Sequence, residues 1–154
     1  MKNLSFLNLV ANEIKKIENL EGLDNLKFLE LCNNKFSSLD CSCRLDNLES
    51  LWFQSNHIRE FTDLPNFPNL KELLLNDNKI SKISNDLSLK KLEKLSLHYN
   101  QLKDISNLKN LVAIERLNLS YNEISEISVI KHLKNLKELS ITGNPIKNIL
   151  TLLC

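Results

Sequence analysis

Three histidines (His57, His98, His132), four cysteines and scattered serines and acids are the residues of this 154-residue chain that could carry chemistry. Ser96, Ser120, His98 and Asp77 can be drawn as nucleophile, base and orienting acid, the set used for acyl transfer. Cys41-Ser42-Cys43 is close-spaced like half of a zinc site. Zinc takes about four ligands, and no second cysteine pair or nearby histidine completes the set. Cys32 and Cys154 bring the cysteines to a number too sparse for a disulfide scaffold, so the expected state is free thiols in a reducing cytosol. Two glycines, Gly22 and Gly143, cannot build a phosphate-cradling loop. The residue types therefore imply no metal and no cofactor.

Whether His98 and its neighbours can react depends on the elements that hold them. Asparagines recur at Asn12, Asn34, Asn56, Asn78, Asn100, Asn122 and Asn144, always 22 residues apart. Seven units begin at Leu4, Leu26, Leu48, Leu70, Leu92, Ile114 and Leu136. Self-similarity at this period is the signature of a solenoid. The fourth and sixth places alternate, as in Leu7/Leu9, Leu51/Phe53 and Leu117/Leu119, which predicts a short strand with one buried face. Beyond the eleventh place the spacing becomes three (Ile14, Ile17, Leu20, Leu23), suited to a 3₁₀ or extended return path. One turn cannot bury its own leucines, but stacked turns bury them against each other along a parallel sheet. The asparagine at the ninth place sits where backbone groups leave the ladder and need partners. Its amide offers donors and an acceptor together.

Such a chain forms a single domain over residues 1–154, long enough to bury a core. Hydrophobic residues make up 42% and charged residues 25%, an ordinary globular balance. Twenty basic residues against 19 acidic ones give a net charge of +1, with no electrostatic footprint for nucleic acid or an anionic membrane. No apolar run reaches bilayer-spanning length. The leucine-rich start "MKNLSFLNLVANE" is in phase with the later units and interrupted by Asn8 and Asn12, which favours repeat over signal peptide.

The pattern Leu-x-x-Leu-x-Leu-x-x-Asn-x-Ile-x-x-Ile resembles the leucine-rich repeat family, from about Leu4 to Leu152. Its 22-residue length resembles the subclass of a type 1 protein phosphatase regulatory subunit, an axonemal dynein light chain and a spliceosomal ribonucleoprotein subunit. The resemblance implies an α/β solenoid with parallel strands on the concave face, 3₁₀ or extended returns on the convex face, and proteins bound on the concave side. Such solenoids usually carry end caps. Met1 to Asn3 leave no room for one, and "GNP" at Gly143 to Pro145 resembles a motif that precedes one, yet none follows. Asp86 in unit four stands at a usually apolar place, with Leu87 and Leu89 beside it, and predicts a local bulge on the convex side.

Consensus residues are committed to the core, so function falls to the variable places. The third, fifth, seventh and eighth places are expected to line the concave side. They hold Phe6, Phe28, Trp52, Leu74 and Arg116, then Gln54, Asn76 and His98, then Tyr99 and Tyr121 on the other margin. Trp, Tyr and Arg most often dominate interfaces, and these places hold the one Trp and both Tyr. Seven strands at about 4.8 Å, each about five residues long, make a trough roughly 30 Å by 17 Å, sized for a helix or extended segment. An open strand face neither excludes water nor offers an oxyanion hole, which counts against catalysis by His98.

The expectation is a non-catalytic, cytoplasmic protein-binding module, with nuclear or ciliary placement as variants. Phosphatase regulation or a cytoskeletal or ciliary scaffold are the roles the resemblance suggests. Two alternatives remain. A secreted or surface receptor-like repeat would use the sequons at Asn3 and Asn118, although a glycan on Asn118 would obstruct the concave face. An uncapped solenoid could also associate end to end.

Overall fold

The computed structural model describes residues 1–149. Residues 150–154, which include Cys154 and the end of the seventh unit, lie outside the described residues.

In chain order the strands are β1 (Phe6–Asn8), β2 (Phe28–Glu30), β3 (Ser50–Trp52), β4 (Glu60–Phe61), β5 (Glu72–Leu74), β6 (Lys82–Ile83), β7 (Lys94–Ser96), β8 (Arg116–Asn118) and β9 (Glu138–Ser140). Seven form one parallel sheet in the order β1-β2-β3-β5-β7-β8-β9. Its register is the sequence repeat itself: Leu29 stands opposite Leu51, Leu51 opposite Leu73, and Leu95 opposite Leu117. Each of these seven strands is three residues long, shorter than the five expected. The turn-to-turn bonding nevertheless runs further. Lys27 N–H reaches back to Ser5 O at 2.9 Å, and Asn33 N–H forward to Gln54 O at 2.9 Å. The ladder thus spans the second to the eighth place, so the trough keeps roughly the expected width.

The return segments differ from turn to turn. In the later units they are the 3₁₀ turns Ser106–Asn110 and Ser128–His132, as the three-residue spacing predicts. In units three and four they are extended and pair as β4 and β6, a second parallel sheet on the convex side. The Asp86 irregularity sits here. Asp86 is exposed, Leu87 and Leu89 take the buried places, and Asp63 accepts the Ser88 N–H and hydroxyl at 2.6 and 2.7 Å. It takes the form of a cleft of about 420 Å³ on the return side, lined by Cys41, Asp63 and Asp86 among others.

Between the two sides lies a continuous core. Leu51, Phe53, Ile58 and Phe61 are fully buried, and Phe36 meets Phe53 edge to face at 5.1 Å. Each such side chain contributes about 1.5–3 kcal/mol by leaving water. Leu4, Leu7, Leu9 and Ile14 of the first turn are only partly buried, since a single neighbouring turn covers them.

The asparagines bind as their position predicts, and more fully. Asn78 Oδ1 accepts the Ile58 N–H at 3.0 Å, while Nδ2 donates to Phe53 O, Leu75 O and Asn76 O. Asn34, Asn56, Asn100, Asn122 and Asn144 repeat the pattern. Asn12, in the first turn described, donates to Leu9 O and Val10 O of its own turn. A second ladder escapes sequence inspection. Asn25, Asn47, Asn69 and Asn135, each just before a unit's first leucine, donate to backbone oxygens of the preceding turn at 2.7–2.8 Å.

Candidate functional site

The alternating strand places sort side chains to two faces, leucines inward and variable residues outward. Phe6 and Phe28 are neighbours in register at the first two strands and stand 48% and 42% exposed. Trp52 lies between Glu30 and Leu74 in the next lane. Its ring is half-buried, and its indole N–H is shut away from water without an acceptor. An unpaired buried donor costs about 1–3 kcal/mol, so the centre of this face is not optimised for its own stability.

Further along, Gln54, Leu74, Asn76, His98 and Arg116 line one concave cleft of about 450 Å³, together with Lys94, Ser96 and Asn118. Lys94 is held by Glu72 at 2.8 Å. Arg116 is exposed and makes no ion pair among the described residues. Gln54 accepts the Cys32 thiol at 2.9 Å, tying two turns together. Phe6, Phe28, Trp52, Tyr99 and Tyr121 lie outside that cleft, so the predicted residues share a face without forming one pocket.

Two expectations need correction. Ser50, Ser96 and Ser120, at concave places, were expected to stand out on the face, but all three are buried, although Ser96 still lines the concave cleft. As small residues they sink between larger neighbours, as Ser50 does between Phe28 and Glu72 in register. The eighth place, expected to continue the strand, is instead a left-handed turn in every unit. Ala11, Asn33, Ser55, Asp77, Tyr99 and Tyr121 have φ of 53–58°, and Gly143 has 69°. This conformation costs a residue with a Cβ roughly 1–2 kcal/mol, and it swings the chain from the sheet toward the return.

Tyr99 and Tyr121 project from that turn, 49% and 47% exposed. Their rings stack at 4.5 Å and within 3° of parallel, and His98 meets Tyr99 edge to face at 5.5 Å. Gly143, one turn on, forms the floor under Tyr121: a Cβ there would come within 2.6 Å of Tyr121 Cδ1. Partial desolvation, then the neighbouring Tyr121, hold the Tyr99 hydroxyl above its ordinary pKa. Neither the stack nor the role of Gly143 is legible from repeat position, since both depend on how far each ring leans along the solenoid.

The groups that could do chemistry are placed as follows. Ser96 Oγ lies 2.8 Å from His98 Nδ1, which is also 3.4 Å from Asn118 Nδ2. The hydroxyl is buried beneath an open face, and Asp77 stands on the outer margin. Cys41 and Cys43 sulfurs are 3.0 Å apart, with Cys32, Cys41 and Cys43 all free. Burial and the Cys43 thiol push the Cys41 pKa up to about 12, so it is a thiol at neutral pH. Among the described residues, no group of three or more His, Cys, Asp or Glu is placed to hold a metal, and no helix is long and apolar enough to cross a membrane.

Comparison with known proteins agrees with the geometry. A family model described as leucine-rich repeats in two copies matches residues 24–66 and 68–110, and a second leucine-rich repeat model matches 92–146. Solved structures with the same fold include two internalins of Listeria monocytogenes. One, inlF, is 25% identical with a TM-score of 0.68, over 97% of this chain and 51% of that one. The other, inlC2, is 28% identical with a TM-score of 0.69, over 96% and 75%. A leucine-rich repeat protein of Leptospira interrogans is 31% identical with a TM-score of 0.67, over 95% and 45%. The chain thus spans about half the length of the first of these and less than half of the last. Among curated proteins none matches by sequence. With its asparagine-stitched turns, its leucine core and these matches over most of its length, the chain belongs to the leucine-rich repeat family.

Proposed function

We propose that this chain is a non-catalytic module that binds a helix or an extended segment of a partner protein along its concave face. The observation that carries the reading is the aromatic content of that face. In a chain only 6% aromatic, Phe6, Phe28, Tyr99 and Tyr121 all stand more than 40% exposed on it, with the half-buried Trp52 between them. Large apolar side chains held out to solvent on one face point to an interaction site, and aromatic and arginine anchors are what interface energetics favour. Arg116 supplies that free cation. The trough, about 30 Å long for seven strands at about 4.8 Å, accommodates a helix of about 10–12 Å diameter.

Catalysis by the Ser96–His98 pair is disfavoured on the same geometry, because an open face holds no preorganised oxyanion donors. Placement inside the cell fits the free thiols, and a glycan on Asn118 would crowd the cleft that this residue lines. A phosphatase-regulatory or ciliary scaffold role extends the proposal on repeat length alone.

The test is affinity capture from native lysate with wild type and a Trp52→Ala/Arg116→Ala variant, both checked for folding by circular dichroism. A protein held by wild type and lost by the variant supports the concave face. Capture of the same set by both baits overturns it.

A further inference from the structure

The left-handed eighth places set four residues in line along one margin of the concave face: Asp77, Tyr99, Tyr121 and Gly143. Tyr121 is closed on both sides, by the Tyr99 ring at 4.5 Å and by Gly143, where even a Cβ would not fit. Tyr99 is stacked by Tyr121, met by His98 at 5.5 Å and 62° between ring planes, and still 49% exposed. The turn on the side away from Tyr121 is that of Asp77, joined to its own by the bond from Asn78 N–H to Tyr99 O at 3.3 Å. Asp77 is exposed, and its carboxylate makes no ion pair or side-chain hydrogen bond among the described residues.

A ring face carries negative quadrupolar potential, and a carboxylate beside it adds a full negative charge. Both features call for the same occupant. A guanidinium suits the place better than an ammonium, since its flat face can lie on the ring while its edge donates to a carboxylate. We propose that the exposed ring of Tyr99 and the carboxylate of Asp77 together seat an arginine side chain of the partner protein. The site rests on the concave-face reading and adds a chemical requirement: the bound segment carries an arginine that reaches the eighth-place margin. The parallel stack favours this seat, because Tyr121 and Gly143 fix the Tyr99 ring in one orientation before anything binds, which reduces the ordering cost of association.

The experiment is a titration of the isotope-labelled full chain with N-acetyl-arginine-N-methylamide, followed by two-dimensional NMR. The citrulline and lysine analogues serve as the neutral and ammonium controls. The expected result is shifts centred on the Tyr99 ring and the Asp77 and Asn78 amides, at least threefold larger for arginine than for either control. The same titration of Asp77→Asn, a same-shape change at an exposed place, should reduce them about threefold. Equal shifts with citrulline, shifts centred elsewhere, no shifts, or an undiminished response in Asp77→Asn would each overturn the proposal. Equal response to lysine would overturn its guanidinium preference. Because Trp52 and Arg116 are untouched here, failure of this titration leaves the capture experiment free to succeed, and the two readings can fall separately.

Discussion

At the scale of single residues, the asparagines distinguish a role held in common from a role that depends on position. Asn78 satisfies one backbone N–H and three carbonyl oxygens inside the protein, across two turns. Asn78→Ala leaves the buried Ile58 N–H without its acceptor and takes one of two donors from Phe53 O, Leu75 O and Asn76 O, so a loss of about 1–3 kcal/mol is expected. Asn12 is exposed and binds only within its own turn, where water can replace it. Asn12→Ala should cost about 0.5 kcal/mol, at the low end for a net hydrogen bond. Chemical denaturation of both variants checks the contrast, and equal losses would contradict the cross-turn account. The sequence made this legible because an invariant 22-residue spacing has one structural explanation. It did not reveal that Trp52 keeps a buried N–H without an acceptor, which depends on the packing of that one ring.

At the scale of elements, the margin formed by successive eighth places is stiffer than an open turn. Tyr121 lies in a slot between Tyr99 and Gly143. Gly143→Ala meets two obstacles: a left-handed φ of 69°, and Tyr121 Cδ1 at 2.6 Å from the new Cβ. The first costs about 1–2 kcal/mol by itself. The second forces the Tyr121 ring away and disturbs the stack. A double-mutant cycle separates them: the cost of Gly143→Ala should fall by at least a third in a Tyr121→Ala background. An unchanged cost would show that the slot is unimportant. Repeat position alone read the eighth place as strand. It could not register the turn because Tyr99 and Tyr121 are poor advertisements for a left-handed conformation that glycine or asparagine usually signals. Only Asn33, Asp77 and Gly143 give that hint.

At the scale of the whole molecule, stability accumulates turn by turn, and the ionisable groups perturb it mainly at alkaline pH. Cys41 is raised from the usual 9.0 to about 12, first by burial and then by the Cys43 thiol. Cys32 is raised by burial, Tyr99 by partial desolvation, and Lys71 by its hydrogen bond to Glu49. A group that holds its proton more tightly when folded contributes stability that is fully present below its unfolded pKa. That contribution is lost as pH rises through the folded value. The denaturation midpoint should therefore hold up to about pH 9 and decline toward pH 12. Cys41→Ser, whose hydroxyl does not ionise there, should flatten that decline. An identical alkaline slope in the variant would remove Cys41 from the account.

The sequence by itself determined the solenoid, its seven-unit register, the inward leucines and the asparagine ladder. All of these follow from periodicity, and periodicity survives in one dimension. It also placed Phe6, Phe28, Trp52 and Arg116 on one outward face, because alternation along a strand assigns each place to a side. Only the tertiary structure decided how far each outward side chain leans and what it covers. It buried Ser50, Ser96 and Ser120, stacked Tyr99 on Tyr121 over Gly143, and left Asp77 one turn from an exposed ring. It also paired β4 with β6 and bonded Asn47 and Asn69, just before their units' first leucines, to the preceding turns. The physical reason is common to all of these. They arise from contacts between turns that are equivalent in the repeat but carry different side chains, so each depends on the sizes and charges of particular neighbours rather than on the repeat they share.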